Sequence, residues 1–262
     1  MDELLKDICQ KKKYELEMTK SKCSFQTLEK LLPKKNNRGL KKILNDSQKN
    51  KNINIIAEIK KASPSAGIII ENYNPVEIAQ KYYKSNVTCL SVLTEEDFFL
   101  GKLDHISDIK KKINLPILCK DFFIDTFQVY LAKSYGADAI LIILAGLNND
   151  LANKIYLEAS KLNMSVIVEV HTLEEASRAL NFKNALIGIN NRNLKTLKTN
   201  INTTYDIYEV LKNHNEPLIS ESGIQTREEI LEIENKTKIK TFLIGESLLK
   251  NFDQNSILSL LE

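Results

Sequence analysis

Short apolar segments recur at regular intervals, and this rhythm restricts the possible folds more than any other feature of the chain. Each segment is a handful of residues long, rich in Ile, Val and Leu, and nearly continuous in apolar character. Such segments are typical of parallel strands that are covered on both faces. The eight segments are INIIAEIK (53–60), VTCLSVL (87–93), LPILCK (115–120), ADAILII (137–143), SVIVEV (165–170), ALIGIN (185–190), PLISES (217–222) and KTFLIG (240–245).

Amphipathic helical patterns with clear start signals separate these segments. NPVE (74–77) offers an Asn cap followed by Pro at the first helical position, and TLEE (172–175) and TREE (226–229) have the spacing of capping boxes. Eight strand–helix units in about 210 residues predict an α/β fold of the (β/α)8, or TIM, barrel type. A doubly wound open sheet is the alternative, but it usually has fewer strands, and no GxGxxG follows the first strand here.

The first fifty residues precede this rhythm and have a different character. They contain two helical patterns, then a loop (LPKKNNRG) and a further short helix, but they are too few and too polar to enclose a core of their own. We therefore expect residues 1–50 to form an N-terminal helical extension packed on a barrel of residues 51–262, with one domain overall.

Composition excludes several functional classes. The net charge of +3 is too small to indicate nucleic-acid binding, and the scattered four cysteines and three histidines do not have the spacing of a metal site or a disulfide framework. The start of the chain lacks the apolar centre of a signal peptide, and no apolar run has membrane-spanning length. The expectation is a cytoplasmic protein with no metal, nucleic-acid partner or membrane partner.

Polar side chains interrupt the predicted strands close to their carboxyl ends, where barrel enzymes carry their active sites. The residues concerned are Glu58, Lys60, Lys120, Glu169, Asn190, Arg192 and Glu221. Because side chains alternate along a strand, Glu58 and Lys60 should share a face, as should Asn190 and Arg192. A structural salt-bridge network is the alternative for any one of them. Their concentration at one rim favours a site, since burying so many charges is costly.

Two glycine-containing loops follow the last two predicted strands. SESGI (220–224) follows the seventh strand, and IGESLL (244–249) follows the eighth and opens a helix. Barrels frequently bind phosphate between these loops, where bare backbone N–H groups face the anion. With Arg192 and Lys60 nearby, the loops predict a substrate that carries a phosphate.

A series of motifs along the chain resembles the indole-3-glycerol-phosphate synthase family of tryptophan biosynthesis. In order, the motifs are IIAEIKKASPSAG, SVLTEEDFFLG, PILCKDFFID, GADAILI, VEVHTLEEASRAL, IGINNRNLKT, ISESGI and IGESLL. The resemblance covers nearly the whole chain. It departs from the family at Cys119, where Arg is usual, and at Leu100 and Lys102, where Gln and Ser are more usual.

The resemblance implies a reaction and a set of catalytic residues. The family closes the indole ring of 1-(2-carboxyphenylamino)-1-deoxyribulose 5-phosphate with loss of CO2 and water, and uses no cofactor. Lys120 would be the general acid that protonates the ribulose carbonyl, and Glu169 the base or relay in the later dehydration. Lys60 would bind the substrate carboxylate and serve as a second acid. The residues expected to position these groups and the sugar hydroxyls are Glu58, Asn190 and Glu221.

The resemblance also implies two binding regions. The residues expected around the phosphate are Ser63, Arg192, Ser222, Gly223, Gly245 and the amide of Glu246, whose carboxylate should point away from the anion. Those expected to form an apolar slot for the anthranilate ring are Phe99, Phe122 and Leu194. We expect a monomer acting on a small phosphorylated molecule. Two alternatives stay open: phosphoribosylanthranilate isomerase, another phosphate-binding barrel of the pathway, and a non-catalytic barrel that binds a phosphorylated metabolite.

Overall fold

The computed structural model describes residues 3–33, 38–50, 52–250 and 256–261. Within these ranges, eight parallel strands close into a barrel, because the first strand pairs with both the second and the last. Strand β1 (Asn54–Ile59) is followed by a small antiparallel hairpin of β2 (Ala62–Ser63) and β3 (Gly67–Ile68). The other barrel strands are β4 (Cys89–Leu93), β5 (Ile117–Lys120), β6 (Ala139–Ile143), β7 (Ser165–Val170), β8 (Leu186–Asn190), β9 (Leu218–Glu221) and β10 (Thr241–Ile244). The predicted TIM barrel is confirmed, and the open sheet is excluded.

Helices surround the barrel and precede it. Those before the first strand are α1 (Glu3–Lys22), α2 (Phe25–Leu31) and α3 (Leu40–Lys49). Those between and after the strands are α4 (Pro75–Lys84), α5 (Asp104–Lys112), α6 (Phe127–Ser134), α7 (Asn149–Lys161), α8 (Leu173–Ala179), α9 (Asn202–Leu211), α10 (Arg227–Thr237) and α11 (Glu246–Lys250). None of the helices in the described ranges combines the length and apolar character needed to cross a membrane.

The predicted helix caps differ in how completely they form. Asn74 accepts hydrogen bonds from the first turn of α4, and Thr226 forms the full reciprocal capping box with Glu229. At α8 the box is incomplete: Thr172 accepts from the Glu175 N–H, but the Glu175 carboxylate accepts from the backbone N–H of His171 instead. The prediction of a second capping box was wrong in this detail, since Glu175 reaches one residue further back.

The barrel interior is built from layers of four side chains taken from alternate strands, as in other TIM barrels. Following the strand register around the barrel gives an apolar layer of Ile56, Leu118, Ile167 and Ile219. Two residues further along the same strands lies a layer of Glu58, Lys120, Glu169 and Glu221. On these four strands the inward-facing side chains therefore change from apolar to charged within two residues.

The N-terminal segment contacts both ends of the barrel. Leu40 and Leu44 of α3 are completely buried and join the apolar interior below the charged layer. At the opposite end, Lys12 of α1 is buried and forms an ion pair with Asp121, directly after β5. The predicted boundaries at residues 1, 51 and 262 fall outside the described residues, so the division into 1–50 and 51–262 stays a prediction.

A buried carboxylate connects the N-terminal segment to the lower rim of the barrel. Asp138, with no exposed surface, accepts hydrogen bonds from the backbone N–H groups of Arg38 (2.8 Å) and Ile117 (2.9 Å) and from the ammonium of Lys110. The Arg38 guanidinium in turn donates to the carbonyls of Ile113 and Leu115. This network attaches the chain before α3 to the helix-to-strand connections beneath the barrel.

We expect Asp138→Ala to reduce the free energy of unfolding by about 3–5 kcal/mol, because it leaves a half-buried ammonium and two N–H groups without their acceptor. Urea unfolding followed by circular dichroism measures this difference. Asp108→Ala is the matched control, since Asp108 forms an exposed ion pair with Lys111 on the helix surface; its effect should stay within about 0.5 kcal/mol. Equal unfolding midpoints for the two variants would show that the Asp138 network contributes no more to the free energy of unfolding than an exposed ion pair does.

Candidate active site

The charged layer is organised around the ammonium group of Lys120. Its Nζ lies 2.9 Å from Oε2 of Glu169 and 2.9 Å from Oε2 of Glu221. Burial disfavours the charged form of this lysine, but the carboxylates of Glu169, Glu221 and Glu58 together raise the pKa of Lys120 well above its usual value. The side chain is therefore held as a buried ammonium between Glu169, from the next position of the layer, and Glu221, from the opposite side of the layer.

A second ion pair lies beside this group at the end of β1. Nζ of Lys60 is 2.6 Å from Oε1 of Glu58, and both side chains are about nine-tenths buried. Burial opposes ionisation of the carboxyl, yet the ammonium groups of Lys60 and Lys120 lower the pKa of Glu58 below its usual value. The contact agrees with the prediction, from strand alternation, that these two side chains share a face.

The two glutamates that contact Lys120 differ in their electrostatic state. Burial opposes ionisation of Glu169, but Lys120 and His171 lower the pKa of Glu169 far below its usual range. Burial and the nearby Glu169 outweigh the single ammonium at Glu221 and raise the pKa of Glu221 to about 7. Oε1 of Glu221 accepts no hydrogen bond from the described part of the chain. One carboxyl is therefore firmly ionised, whereas the other is much more easily protonated.

A cavity of about 790 Å3 opens above the ends of β9 and β10. The predicted phosphate residues on its wall are Arg192, Ser222, Gly223, Gly245 and Glu246, together with Lys60 and Glu58. Ser222 and Gly223 both have positive φ angles (68° and 76°), so the backbone turns sharply between β9 and the following helix. The Glu246 carboxylate pairs with Lys250 on the next turn of α11, 2.6 Å away.

A narrower cavity of about 130 Å3 adjoins the first and is lined mainly by apolar side chains. Phe99, Phe122 and Leu194 are on its wall, and the two phenyl rings have centroids 6.2 Å apart. Ser63 and Asn190 border the same cavity, as do Lys120 and Glu169 at its charged end. The predicted anthranilate residues are thus brought together next to the acid–base groups.

The structure brings fourteen of the fifteen predicted site residues onto the walls of these two adjoining cavities. The exception is Glu221, which has no exposed surface and lies beneath Lys120. Glu221 contacts Lys120 and neither cavity, so it can influence the cavity only by positioning the Lys120 ammonium.

Sequence reasoning missed the residues of α1 that close the apolar cavity. Leu5 and Ile8 are nearly fully buried and, with Leu4, line it opposite the barrel strands. Their spacing indicates an apolar helix face, but an apolar face alone does not show what it covers.

Sequence reasoning also missed Glu95. This residue is buried and accepts hydrogen bonds from the N–H groups of Asp97, Phe98 and Phe99, which fixes the loop that carries Phe99.

Two glycines make room for the charged side chains. A Cβ atom at Gly188 would lie 1.9 Å from Oε1 of Glu221, and one at Gly245 would lie 2.5 Å from Oε1 of Glu58. Gly188 is in the middle of β8, where a glycine normally weakens a strand. Its role is to leave space for the neighbouring carboxylate. This role could not be predicted from the motif IGIN, because it depends on the pairing of β8 with β9.

Across the described ranges, no group of three or more His, Cys, Asp or Glu side chains is arranged to hold a metal ion. The absence of a metal and of a cofactor from the reaction stays a prediction.

Comparison with known proteins identifies the family that the chain resembles. A family model described as indole-3-glycerol phosphate synthase matches residues 5–261. Among curated relatives, the indole-3-glycerol phosphate synthase of Prochlorococcus marinus subsp. pastoris is 47% identical over 206 residues, covering 76% of this chain and 69% of that protein. The enzyme of the same name from Carboxydothermus hydrogenoformans is 38% identical over 262 residues, covering 98% of both chains.

The solved structures that resemble this chain include the tryptophan synthase α subunit of Legionella pneumophila. It superposes with a TM-score of 0.60, covers 86% of this chain and 94% of its own, and shares 14% sequence identity. At this identity the likeness concerns the fold alone, and it supports the TIM barrel.

We expect inorganic phosphate to bind in the larger cavity and to raise the melting temperature. At about ten times its dissociation constant the gain is about 1.4 kcal/mol, or roughly 3–6 °C for a chain of this size. Differential scanning fluorimetry at constant ionic strength measures the shift. Arg192→Gln should abolish most of it, whereas Arg227→Gln, on an exposed arginine of α10, should keep it. If phosphate leaves the melting temperature unchanged, or shifts it equally in both variants, the predicted phosphate site is wrong.

Proposed function

Because the chain belongs to the indole-3-glycerol phosphate synthase family, we propose that its charged layer catalyses closure of the indole ring. The substrate is 1-(2-carboxyphenylamino)-1-deoxyribulose 5-phosphate and the products are indole-3-glycerol phosphate, CO2 and water. The enzyme is a carboxy-lyase of tryptophan biosynthesis. Neither the isomerase nor a non-catalytic barrel is favoured, since the acid–base set is intact and the similar proteins are synthases.

The observation that carries the proposal is that two cavities of different chemistry adjoin, with Lys60 on the wall of both and Lys120 at the charged end of the apolar one. The apolar cavity has the aromatic walls that an anthranilate ring requires, and the larger one has the cations and bare backbone turns that suit a phosphate. A substrate that fills both places its ribulose carbonyl between them, above the charged layer. Lys120 and Glu169 border the apolar cavity at this point, and Lys60 borders both.

Ring closure begins with attack of the aromatic carbon that bears the carboxylate on the ribulose carbonyl. The electron pair of the C=O bond moves to oxygen, and Lys120 gives that oxygen a proton, so that a hydroxyl group forms. An alkoxide is a far stronger base than an amine, so the transfer is favourable even from a lysine whose pKa is raised. Breaking the bond to the carboxylate then releases CO2 and restores the aromatic ring.

Dehydration follows and needs both a base and an acid. Glu169 takes the proton from the carbon next to the ring nitrogen while the new hydroxyl leaves as water with a proton from Lys60, the second acid. In the resting site the neighbouring cations keep Glu169 a weak base. Once Lys120 has given up its proton, one of those cations is neutral, and the basicity of Glu169 rises at the step that uses it.

Lys60 is proposed to hold the substrate carboxylate and to act as a second acid. It already pairs with Glu58 at 2.6 Å, and this carboxylate keeps the ammonium in place before substrate arrives. Asn190 accepts a hydrogen bond from the backbone N–H of Arg192 (3.0 Å), which fixes the loop that carries the guanidinium. Glu58, Asn190 and Glu221 thus act as positioning groups for Lys60, Arg192 and Lys120.

The chain is proposed to work as a monomer in the cytoplasm, with the N-terminal helices and the barrel forming one domain. Both cavities are lined by residues of a single chain, and α1 contributes part of one wall, so catalysis needs no second copy. All four cysteines are free thiols, which suits a reducing compartment.

Lys120→Ala should fold but lose turnover by roughly 10²–10⁴-fold, the usual effect of removing a positioned general acid. Formation of the fluorescent indole product from the carboxyphenylamino-deoxyribulose phosphate measures this loss, and circular dichroism checks the fold. Lys112→Ala, on an exposed lysine of α5, is the control and should keep full activity. Unchanged turnover in Lys120→Ala would refute the assignment of the acid.

Gly188→Ala should lower kcat by roughly 10- to 100-fold, because the new methyl group must displace the Glu221 carboxylate beneath Lys120. The melting temperature should fall as well, because the displaced carboxylate is fully buried and the new Cβ would lie 3.2 Å from Cγ2 of Ile167, so circular dichroism must show that the variant is folded at the assay temperature. Gly146→Ala is the control: its Cβ would meet Leu5 at an ordinary 3.6 Å and should leave kcat unaltered. If Gly188→Ala retains wild-type kcat, the position of Glu221 does not matter to catalysis.

A further inference from the structure

His171 lies between two carboxylates next to the charged layer. Its Nε2 is 3.2 Å from Oε1 of Glu169, and its Nδ1 is 3.2 Å from Oε2 of Glu175. Only 7% of the side chain is exposed. The Nε2 contact has the distance of an ion pair but not the alignment of a linear hydrogen bond. The ring therefore faces an anionic oxygen from each of its nitrogens.

This geometry selects the charged form of the ring. A neutral imidazole carries one N–H and one lone pair, so either tautomer would turn a lone pair towards a carboxylate. The imidazolium presents an N–H to both. Although burial opposes the charge, Glu169 and Glu175 raise the pKa of His171 to about 9.

The other charged groups around the ring do not reverse this preference. From α9, Asp206 and Glu209 border the surface groove that His171 shares, and both are acidic. From β5, Lys120 is the nearby cation, but it is separated from the ring by Glu169, which it contacts. The net surroundings of His171 are anionic.

Glu169 and Glu221 provide an internal comparison, since both place Oε2 at 2.9 Å from Nζ of Lys120. The second oxygen of Glu169 faces His171, whereas the second oxygen of Glu221 has no hydrogen-bond partner among the described residues. Glu169 thus has a basic side chain within 3.2 Å of each oxygen, whereas Glu221 has one at a single oxygen. The imidazole accounts for this difference between the two glutamates.

We infer that His171 is a positioning residue for the ring closure: as an imidazolium paired with Glu175, it keeps the Glu169 carboxylate ionised and directed at Lys120. The inference rests on the proposed function, because Glu169 is the base of the proposed dehydration. It explains why Glu175 reaches back to the backbone N–H of His171 instead of completing the capping box of α8.

The first test is an NMR titration of the imidazole signals in the complete chain. The His171 signal, assigned by its loss in His171→Gln, should titrate well above the ordinary midpoint of about 6.5. In Glu175→Gln the midpoint should fall by roughly one unit or more, because one of the two carboxylates is gone. A wild-type midpoint at or below about 6.5 overturns the inference.

The second test is the dependence of kcat on pH. In His171→Gln the acidic limb should move to higher pH by roughly one unit, since removal of the positive charge makes Glu169 easier to protonate. At neutral pH kcat should fall roughly 10- to 100-fold, with KM nearly unchanged because the phosphate and ring cavities are intact. His214→Gln is the matched control, since His214 bonds the Ala185 carbonyl, outside both cavities, and its profile should overlie the wild type.

A lower melting temperature with an unmoved pH profile would show that His171 is only structural and overturn the inference. Where His171→Gln fails to fold, Glu175→Gln and the wild-type titration still decide the question. A wild-type chain that does not turn over the substrate refutes the proposed function, and the titration then still tests the charged imidazole independently.

Discussion

The buried ammonium of Lys120 is the constraint on which the rest of the site depends. A charge at this depth is tolerated only where opposite charges and hydrogen bonds replace the lost water. Glu169 and Glu221 provide these at 2.9 Å each, and Glu58 adds a further carboxylate in the same layer. Three buried carboxylates would repel one another without further cations. Lys60 lies beside Glu58 and His171 lies beside Glu169, so two of the three carboxylates have a second basic partner. Glu221 receives no second cation in the described geometry, and it is the carboxylate whose pKa rises.

The N-terminal segment makes such a layer possible by shaping both ends of the barrel. Leu40 and Leu44 fill the lower end, so water does not reach the charged layer from below. Leu5 and Ile8 cover the apolar cavity at the upper end, where water exclusion strengthens every charge interaction around Lys120. The same stretch of chain thus controls solvent access from two sides. This double role gives a physical reason for helices that stand outside the strand–helix repeat.

Much of the fold could be predicted from the sequence because its signals are local. The eight apolar runs coincide with the eight barrel strands to within one or two residues at each end, and alternation along β1 was enough to pair Glu58 with Lys60. The missing parts depend on contacts between distant segments. Gly188 matters only because β9 places Glu221 beside it, and Leu5 matters only because α1 lies over the strand ends. Contacts of this kind between distant segments produce no periodic pattern in the sequence, so they could not be predicted from it.

Charge balance also bears on how an anionic substrate is received. The cations that face the cavities are already engaged: Lys60 with Glu58, and Arg192 with the hydroxyl of Ser65 and the carbonyl of Leu197. The partners of Arg192 are neutral, so its full charge is available to a phosphate, whereas the charge of Lys60 is shared with a carboxylate. In the proposed complex, the substrate carboxylate at Lys60 would compete with Glu58, which also interacts with the Lys120 ammonium. Binding at Lys60 would thus change the electrostatic environment of Lys120, and a phosphate at Arg192 would anchor the substrate without contacting the charged layer.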